Sequence, residues 1–93
     1  MADVRIYVRH QVTDYAAWRK VYDAFDAERR PMGVIGDAVY QSVNDPNDVT
    51  VWHDFKTAEQ AKAFASWDKL KDTMKNAGVK GPPQIWFTTK ADK

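Results

Sequence analysis

The sequence predicts an α+β fold of the ferredoxin-like kind: element order βαββαβ, a four-stranded antiparallel sheet with two helices on one face. Three observations carry this. Four extended stretches alternate or are rich in β-branched and aromatic residues, two stretches carry apolar residues at three- and four-residue steps, and turn chemistry separates them. A chain of 93 residues has room for one domain, taken as 1–93. Its 44% hydrophobic and 29% charged residues mark it as globular.

Val4 to His10 alternates, so Val4, Ile6, Val8 and His10 share one face of a first strand and Arg5, Tyr7 and Arg9 the other. Thr13 or Asp14 offers a side-chain oxygen to cap a helix, along which Tyr15, Trp18, Val21, Tyr22 and Phe25 stack. Arg29 and Arg30 suit its negative end, and Pro31 with Gly33 stops it, which predicts one long helix. A second strand runs over Ile35 to Val43. Asn44-Asp45-Pro46-Asn47-Asp48 is turn chemistry, and a third strand over Val49 to Phe55 completes a hairpin. Thr57 and Gln60 form a T-x-x-Q capping box for a second helix, whose apolar face holds Ala61, Phe64, Ala65, Leu70, Met74 and Ala77. Gly78 suits the left-handed position after that helix, with Val79 placed for the accompanying contact. Pro82-Pro83 blocks further helix, Gln84 to Thr89 is the last strand, and the tail from Lys90 to Lys93 is polar.

With the Val4, Ile6 and Val8 face toward the helices, Tyr7, Trp52 and Trp86 from three strands fall on the opposite side. An exposed aromatic patch marks an interface, and a second copy packed sheet to sheet about a two-fold axis covers it most economically, so the expected assembly is a homodimer. Arg5, Arg9 and Asp54 share that side and pair either across strands or across the dimer. Ile6-Tyr7-Val8-Arg9 is similar to the first-strand motif of RNA-recognition domains, but the third strand lacks the partner motif, Asp54 repels phosphate and the net charge is +1. No nucleic-acid partner is expected. No apolar run reaches the ~18–20 residues that span a bilayer, and Met1-Ala2-Asp3-Val4-Arg5 lacks the apolar region of a signal peptide, so no membrane partner is expected either. Without cysteine the chain has no thiol nucleophile, disulfide or Cys-based zinc site, and a cytoplasmic address is the expectation.

The two histidines are the first candidates for chemistry. His53 continues the face of Val49, Val51 and Phe55, and His10 ends that of Val4, Ile6 and Val8. If the first and third strands pair, both face the helices. A neutral imidazole in an apolar cavity can take a proton from an acidic phenol, enol or diketone carbon. The plainer alternative is a core or rim histidine satisfied by a backbone carbonyl. His53, mid-strand, is the candidate general base. Tyr40 and His10 would orient substrate or relay the proton, while Tyr15, Trp18, Tyr22 and Trp67 would line a pocket for a flat aromatic or hydrophobic molecule. A helical stripe of aromatics is more often ordinary core, Trp18 and Phe25 above all.

Other chemistries lack their residues. The histidines show no metal-ligand spacing and the aspartates are scattered, so no metal site is expected. Neither a phosphate-cradling glycine loop nor a serine-nucleophile motif occurs. Lys62, Lys69, Lys71, Lys75 and Lys80 are interspersed with Glu59, Asp68 and Asp72, the pattern of a solvated helix face. What is left is acid/base chemistry without a cofactor, or no chemistry at all.

The stretch His10-Gln11-Val12-Thr13-Asp14-Tyr15-Ala16-Ala17-Trp18, followed by Phe25-Asp26 and closed by Gly78-Val79-Lys80-Gly81-Pro82-Pro83, resembles small proteins of the dimeric α+β-barrel superfamily, in their antibiotic-biosynthesis-monooxygenase-like branch. The resemblance implies a homodimer whose two sheets form a central barrel, with a small-molecule pocket between each sheet and its own helices. Members include cofactor-free monooxygenases on aromatic polyketides, polyketide cyclases, haem-degrading enzymes and lactone isomerases, so the fold leaves the reaction open. Oxygenase and haem-degrading relatives combine a tryptophan, to which Trp67 is similar, with a first-strand asparagine. Here Arg9 and His10 stand instead, with no asparagine between Asp3 and Thr13 and no histidine on the second helix to ligate haem. The expectation is a small cofactor-independent enzyme acting by acid/base chemistry on an aromatic or polyketide-like molecule, of monooxygenase or cyclase type. The alternative is a noncatalytic dimeric protein that binds a small hydrophobic metabolite.

Overall fold

A strand whose residues alternate between apolar and polar can bury one face and leave the other to pair ions, and the chain builds its sheet around such a strand. In the computed structural model, which describes residues 3–91, β1 (Val4–Val12) is flanked by β3 (Asp45–Phe55) and β4 (Val79–Thr89), with β2 (Gly36–Ser42) outside β3. All pairings are antiparallel, in the order β2-β3-β1-β4. The register sets Ile6 opposite His53 and Phe87, and Tyr7 opposite Trp52 and Trp86. The ferredoxin-like α+β fold read from the sequence is the fold observed.

Both helices break. Asp14 is the cap of α1 (Tyr15–Ala24), its carboxylate accepting the Ala17 N–H at 3.2 Å. At Phe25 the N–H is shared between the carbonyls of Val21 and Tyr22 at 3.0 and 3.2 Å, and the chain turns into the short α2 (Asp26–Arg29) and a 3-10 turn (Arg30–Met32). The second helix divides into α3 (Ala58–Ala65) and α4 (Asp68–Asn76). Its interruption is local chemistry: the Ser66 hydroxyl donates back to the carbonyls of Lys62 at 2.9 Å and Ala63 at 3.3 Å, and Trp67 is extended. Thr57 caps α3 by accepting the Gln60 N–H at 3.1 Å, while the Gln60 amide lies against Gly33.

The strands also depart from expectation. The hairpin turn is confined to Val43 and Asn44, and Asp45 to Asp48 belong to β3 behind a register shift at Gln41 and Ser42. β4 begins at Val79, so Pro82 and Pro83 lie within a strand. There Gly81, Pro82 and Pro83 form an irregularity between the Arg9–Gln84 and Gln11–Lys80 pairs, on an edge where missing N–H groups cost no ladder bonds. Gly78 sits at φ +87, and its carbonyl accepts the Thr13 N–H at 3.0 Å, tying the end of α4 to the start of α1.

The helix-side core forms two clusters. One gathers Ile6, Phe25, Phe55, Phe64 and Leu70; the other gathers Val12, Trp18, Val49, Val51 and Ala77. Each fully buried side chain of this size contributes roughly 1.5–3 kcal/mol. On the outer face Arg5 and Arg9 make paired hydrogen bonds across β1 and β3 to Asp54 (2.7 and 3.0 Å) and to Asp48 (3.0 and 2.6 Å). The Arg5 guanidinium covers Trp52 at 3.7 Å, Tyr7 stacks on Trp86, and Trp86 stays 42% exposed. Among the described residues, no helix is long and apolar enough to cross a membrane.

Candidate active site

A cavity lies between the two core clusters, with a histidine of β1 and one of β3 in its lining. Ile6, Val8, Trp18, Phe25, Val51 and Phe64 contribute apolar walls, and His10, Tyr22, Arg29 and His53 add polar groups. The alternation of both strands fixes the two imidazoles on the helix side, as the sequence predicts. His53 follows Val51 inward and stands beside Phe64, with ring centroids 5.1 Å apart, and 6.1 Å from the Tyr22 ring. His10 meets the edge of Trp18 at 5.6 Å. Ile6 is opposite His53, so four residues at a rise of ~3.3 Å separate the histidines by about 13 Å along the sheet. They sit at two ends of one cavity.

Both imidazoles are buried, and neither nitrogen of either ring has a hydrogen-bond partner among the described residues. The backbone-satisfied alternative is therefore not what the structure contains. Burial disfavours the charged form and pushes each pKa down to about 4, so both rings are neutral at neutral pH. At His53 the Arg29 charge is the second cause and outweighs the opposing pull of Asp37; at His10 the Asp48 carboxylate opposes burial weakly.

Beside His53 lies an ionic cluster that sequence reasoning missed. Arg29 ends α2 with only 3% of its surface exposed. Its guanidinium stacks over Tyr22 at 3.8 Å, donates to the Tyr22 carbonyl at 2.6 Å and to Asp26 at 3.1 Å, and has the Asp37 carboxylate at 3.7 Å. The Tyr22 hydroxyl donates to Asp37, which also accepts from Arg30 at 3.3 Å. Burial first, and then the bond to Asp37, hold the Tyr22 pKa far above its ordinary value. Asp37 is opposite His53 in the β2–β3 register, a pairing set by the register shift at Gln41 and Ser42, so no sequence signal pointed to the cluster.

The remaining candidates divide. Trp18 and Tyr22 line the cavity with the two histidines. Tyr15 is one layer out, stacked on Trp18 at 5.9 Å with its hydroxyl accepting from Arg19. Trp67 packs behind the wall against Phe25 and Phe64. Tyr40 is a correction: it is opposite Thr50, on the outer sheet face and 57% exposed, because the neighbouring Val39 takes the inward position opposite Val51. A proton relay through Tyr40 is absent from this geometry, and Tyr22 is the phenol near His53.

The enclosed space is about 50 Å3, well below the ~300–1,000 Å3 of ordinary ligand pockets. Ala65, Met74 and Ile85 separate it from a groove between α4 and β4 whose rim carries Lys71 and Lys75. A ligand of one or more rings needs more room than this space provides. Among the described residues no three potential metal ligands come together.

Neither a family model nor a curated protein sequence matches the chain. Its likenesses are structural. A protein of Bordetella bronchiseptica, provisionally described as an antibiotic biosynthesis monooxygenase, superposes with a TM-score of 0.82 at 18% identity, over 98% of this chain and 99% of that one. SnoaB, a cofactor-independent oxygenase from Streptomyces nogalater, gives 0.79 at 10% identity over 100% and 97%. The monooxygenase from the gene ActVA-Orf6 of Streptomyces coelicolor, solved with nanaomycin D, gives 0.68 at 14% over 99% and 90%. The chain has the fold of the antibiotic-biosynthesis-monooxygenase-like proteins, as its resemblance implied.

Proposed function

We propose that the protein is a small cofactor-independent enzyme that removes a proton from an aromatic or polyketide-like molecule, of monooxygenase or cyclase type, with His53 as general base. One observation carries the reading: a buried imidazole, neutral at physiological pH, presents two unpartnered nitrogens to an apolar cavity. Natural cores rarely leave such groups unsatisfied, and a ligand hydroxyl or carbonyl supplies the missing bond. Structural likeness to SnoaB and to the ActVA-Orf6 monooxygenase supports the same class of chemistry.

The step is a proton transfer. An acidic phenol, enol or activated C–H gives its proton to the imidazole, leaving phenolate, enolate or carbanion beside an imidazolium. The two charges arise together among largely apolar, buried side chains, so each lowers the cost of the other. His10, at the far end, donates to or accepts from a second oxygen and fixes the long axis of a flat ligand. Trp18 and Tyr22 supply its stacking surface. The active unit in this reading is a homodimer joined through Tyr7, Trp52 and Trp86.

The test is His53→Gln, which keeps a hydrogen-bonding amide and removes the base. Anthrones, tricyclic phenols and poly-β-ketone mimics serve as substrates, with oxygen uptake and product formation followed separately. Loss of turnover by about 10²–10⁴-fold, with ligand affinity changed only a few-fold, is expected. Full turnover in the variant overturns the mechanism. Binding without turnover in the wild-type protein favours the noncatalytic metabolite binder.

A further inference from the structure

The mechanism above uses His53 but leaves Arg29 without a task. A guanidinium buried to 3% exposure is rare unless its donors are all engaged. Here they are not: two nitrogens are bonded to the Tyr22 carbonyl and Asp26, while Nε has no partner and the side chain lines the cavity. The Tyr22 ring under the guanidinium and the bond to the Tyr22 carbonyl hold the group in place.

We propose that Arg29 is the anion anchor of this cavity, its Nε–H donating to an already ionised oxygen of the ligand, so that the site selects weakly acidic planar phenols and enols, binds them as anions and leaves to His53 the proton of a second hydroxyl or activated C–H. This rests on the cavity being the ligand site, and it names the substrate class for it. The charged and titratable groups around the anchor are Asp26 and Arg30 on the same segment, Asp37 on β2, Tyr22 on α1 with Arg19 beside its ring, and His53 on β3 with Asp54 next to it in the strand. Asp26 and Asp37 balance Arg29 and Arg30 in number. Asp37, however, is already engaged by Tyr22, Arg29 and Arg30. A new negative charge between Arg29 and His53 therefore meets a guanidinium that keeps one buried, unpartnered donor.

The probe is para-nitrophenol, whose anion absorbs where the neutral phenol does not; para-nitroanisole, lacking the acidic hydroxyl, is the control. Bound to the wild-type protein, para-nitrophenol is expected to ionise at least about one pH unit below its free value, a tenfold preference for the anion. Arg29→Gln abolishes that preference without changing the affinity for para-nitroanisole, and Arg29→Lys, which keeps the charge, retains part of it. Asp37→Asn removes a counter-charge and shifts ionisation further down, a result that does not depend on Arg29→Gln folding. Ionisation of the bound probe at or above its free value, or an unchanged shift in a folded Arg29→Gln, overturns the anchor. His53→Gln keeps the anion preference in either case, so failure of the general-base reading is seen separately, as unchanged turnover. If neither probe binds, the anchor falls, and the general-base reading is judged by turnover of its own substrates.

Discussion

Acid should unfold this protein through its two buried histidines, and the size of the effect follows from their burial. Each imidazole has its pKa lowered from 6.5 to about 4 in the folded chain, desolvation being the first cause at both positions. In the unfolded chain both rings protonate near 6.5. Between these values the unfolded state holds more protons, so stability is complete above about pH 6.5 and falls as pH drops toward 4. At about 1.4 kcal/mol per pH unit, the loss is about 3 kcal/mol for each histidine. A domain of this size has about 5–10 kcal/mol in total, so the two together remove most of it. Midway through the window, unfolding takes up close to two protons. The ion pair that holds the Asp48 carboxylate below its ordinary range fails only at lower pH and leaves the window clean. The assay is urea unfolding at fixed ionic strength from pH 7 to 4.5, for the wild-type protein and for His10→Gln and His53→Gln. Each variant should lose about half of the pH dependence. A wild-type stability flat across the window, or a slope unchanged in both variants, refutes the claim that these rings are dry and neutral.

Two further predictions concern the scaffold. Gly78→Ala should lower stability by about 2 kcal/mol, because Gly78 stands at φ +87 and an added Cβ comes 2.5 Å from the Thr13 hydroxyl. Adding Thr13→Ala relieves the contact but not the backbone strain, so only part of the loss returns; complete recovery in thermal unfolding contradicts the account. Trp86→Glu, at a position 42% exposed, should leave the unfolding free energy nearly unchanged while weakening self-association at least tenfold in sedimentation equilibrium, since two-fold symmetry buries the carboxylate twice. Wild-type association in that variant removes the outer sheet face as the dimer contact.

What was legible in the sequence was whatever depends on local periodicity. Strand alternation put His10 and His53 on the helix side, because parity along an unbulged strand is fixed by the pleat. The Asp14 and Thr57 caps needed only the free amides of a helix start, and Gly78 only the left-handed turn that ends a helix. The helix breaks at Phe25 and Ser66 were less legible, since the apolar stripe continues across both.

Three features needed the tertiary structure. Tyr40 faces outward because β2 takes its register from pairing with β3, and the shift at Gln41 and Ser42 cannot be counted from turn residues alone. Pro82 and Pro83 lie inside β4 because that strand is an edge, where a proline is tolerated, and edge position is a property of the sheet order. Arg29 reads from sequence as a charge that suits the negative end of a helix. Its burial depends on Tyr22 one helix away and Asp37 across the turn converging on it, together with Asp26 three residues before. Local sequence determined which way the histidines point; only the convergence of three elements decided that they share a dry cavity with a cation, because desolvation is set by the packed surroundings and not by the residue.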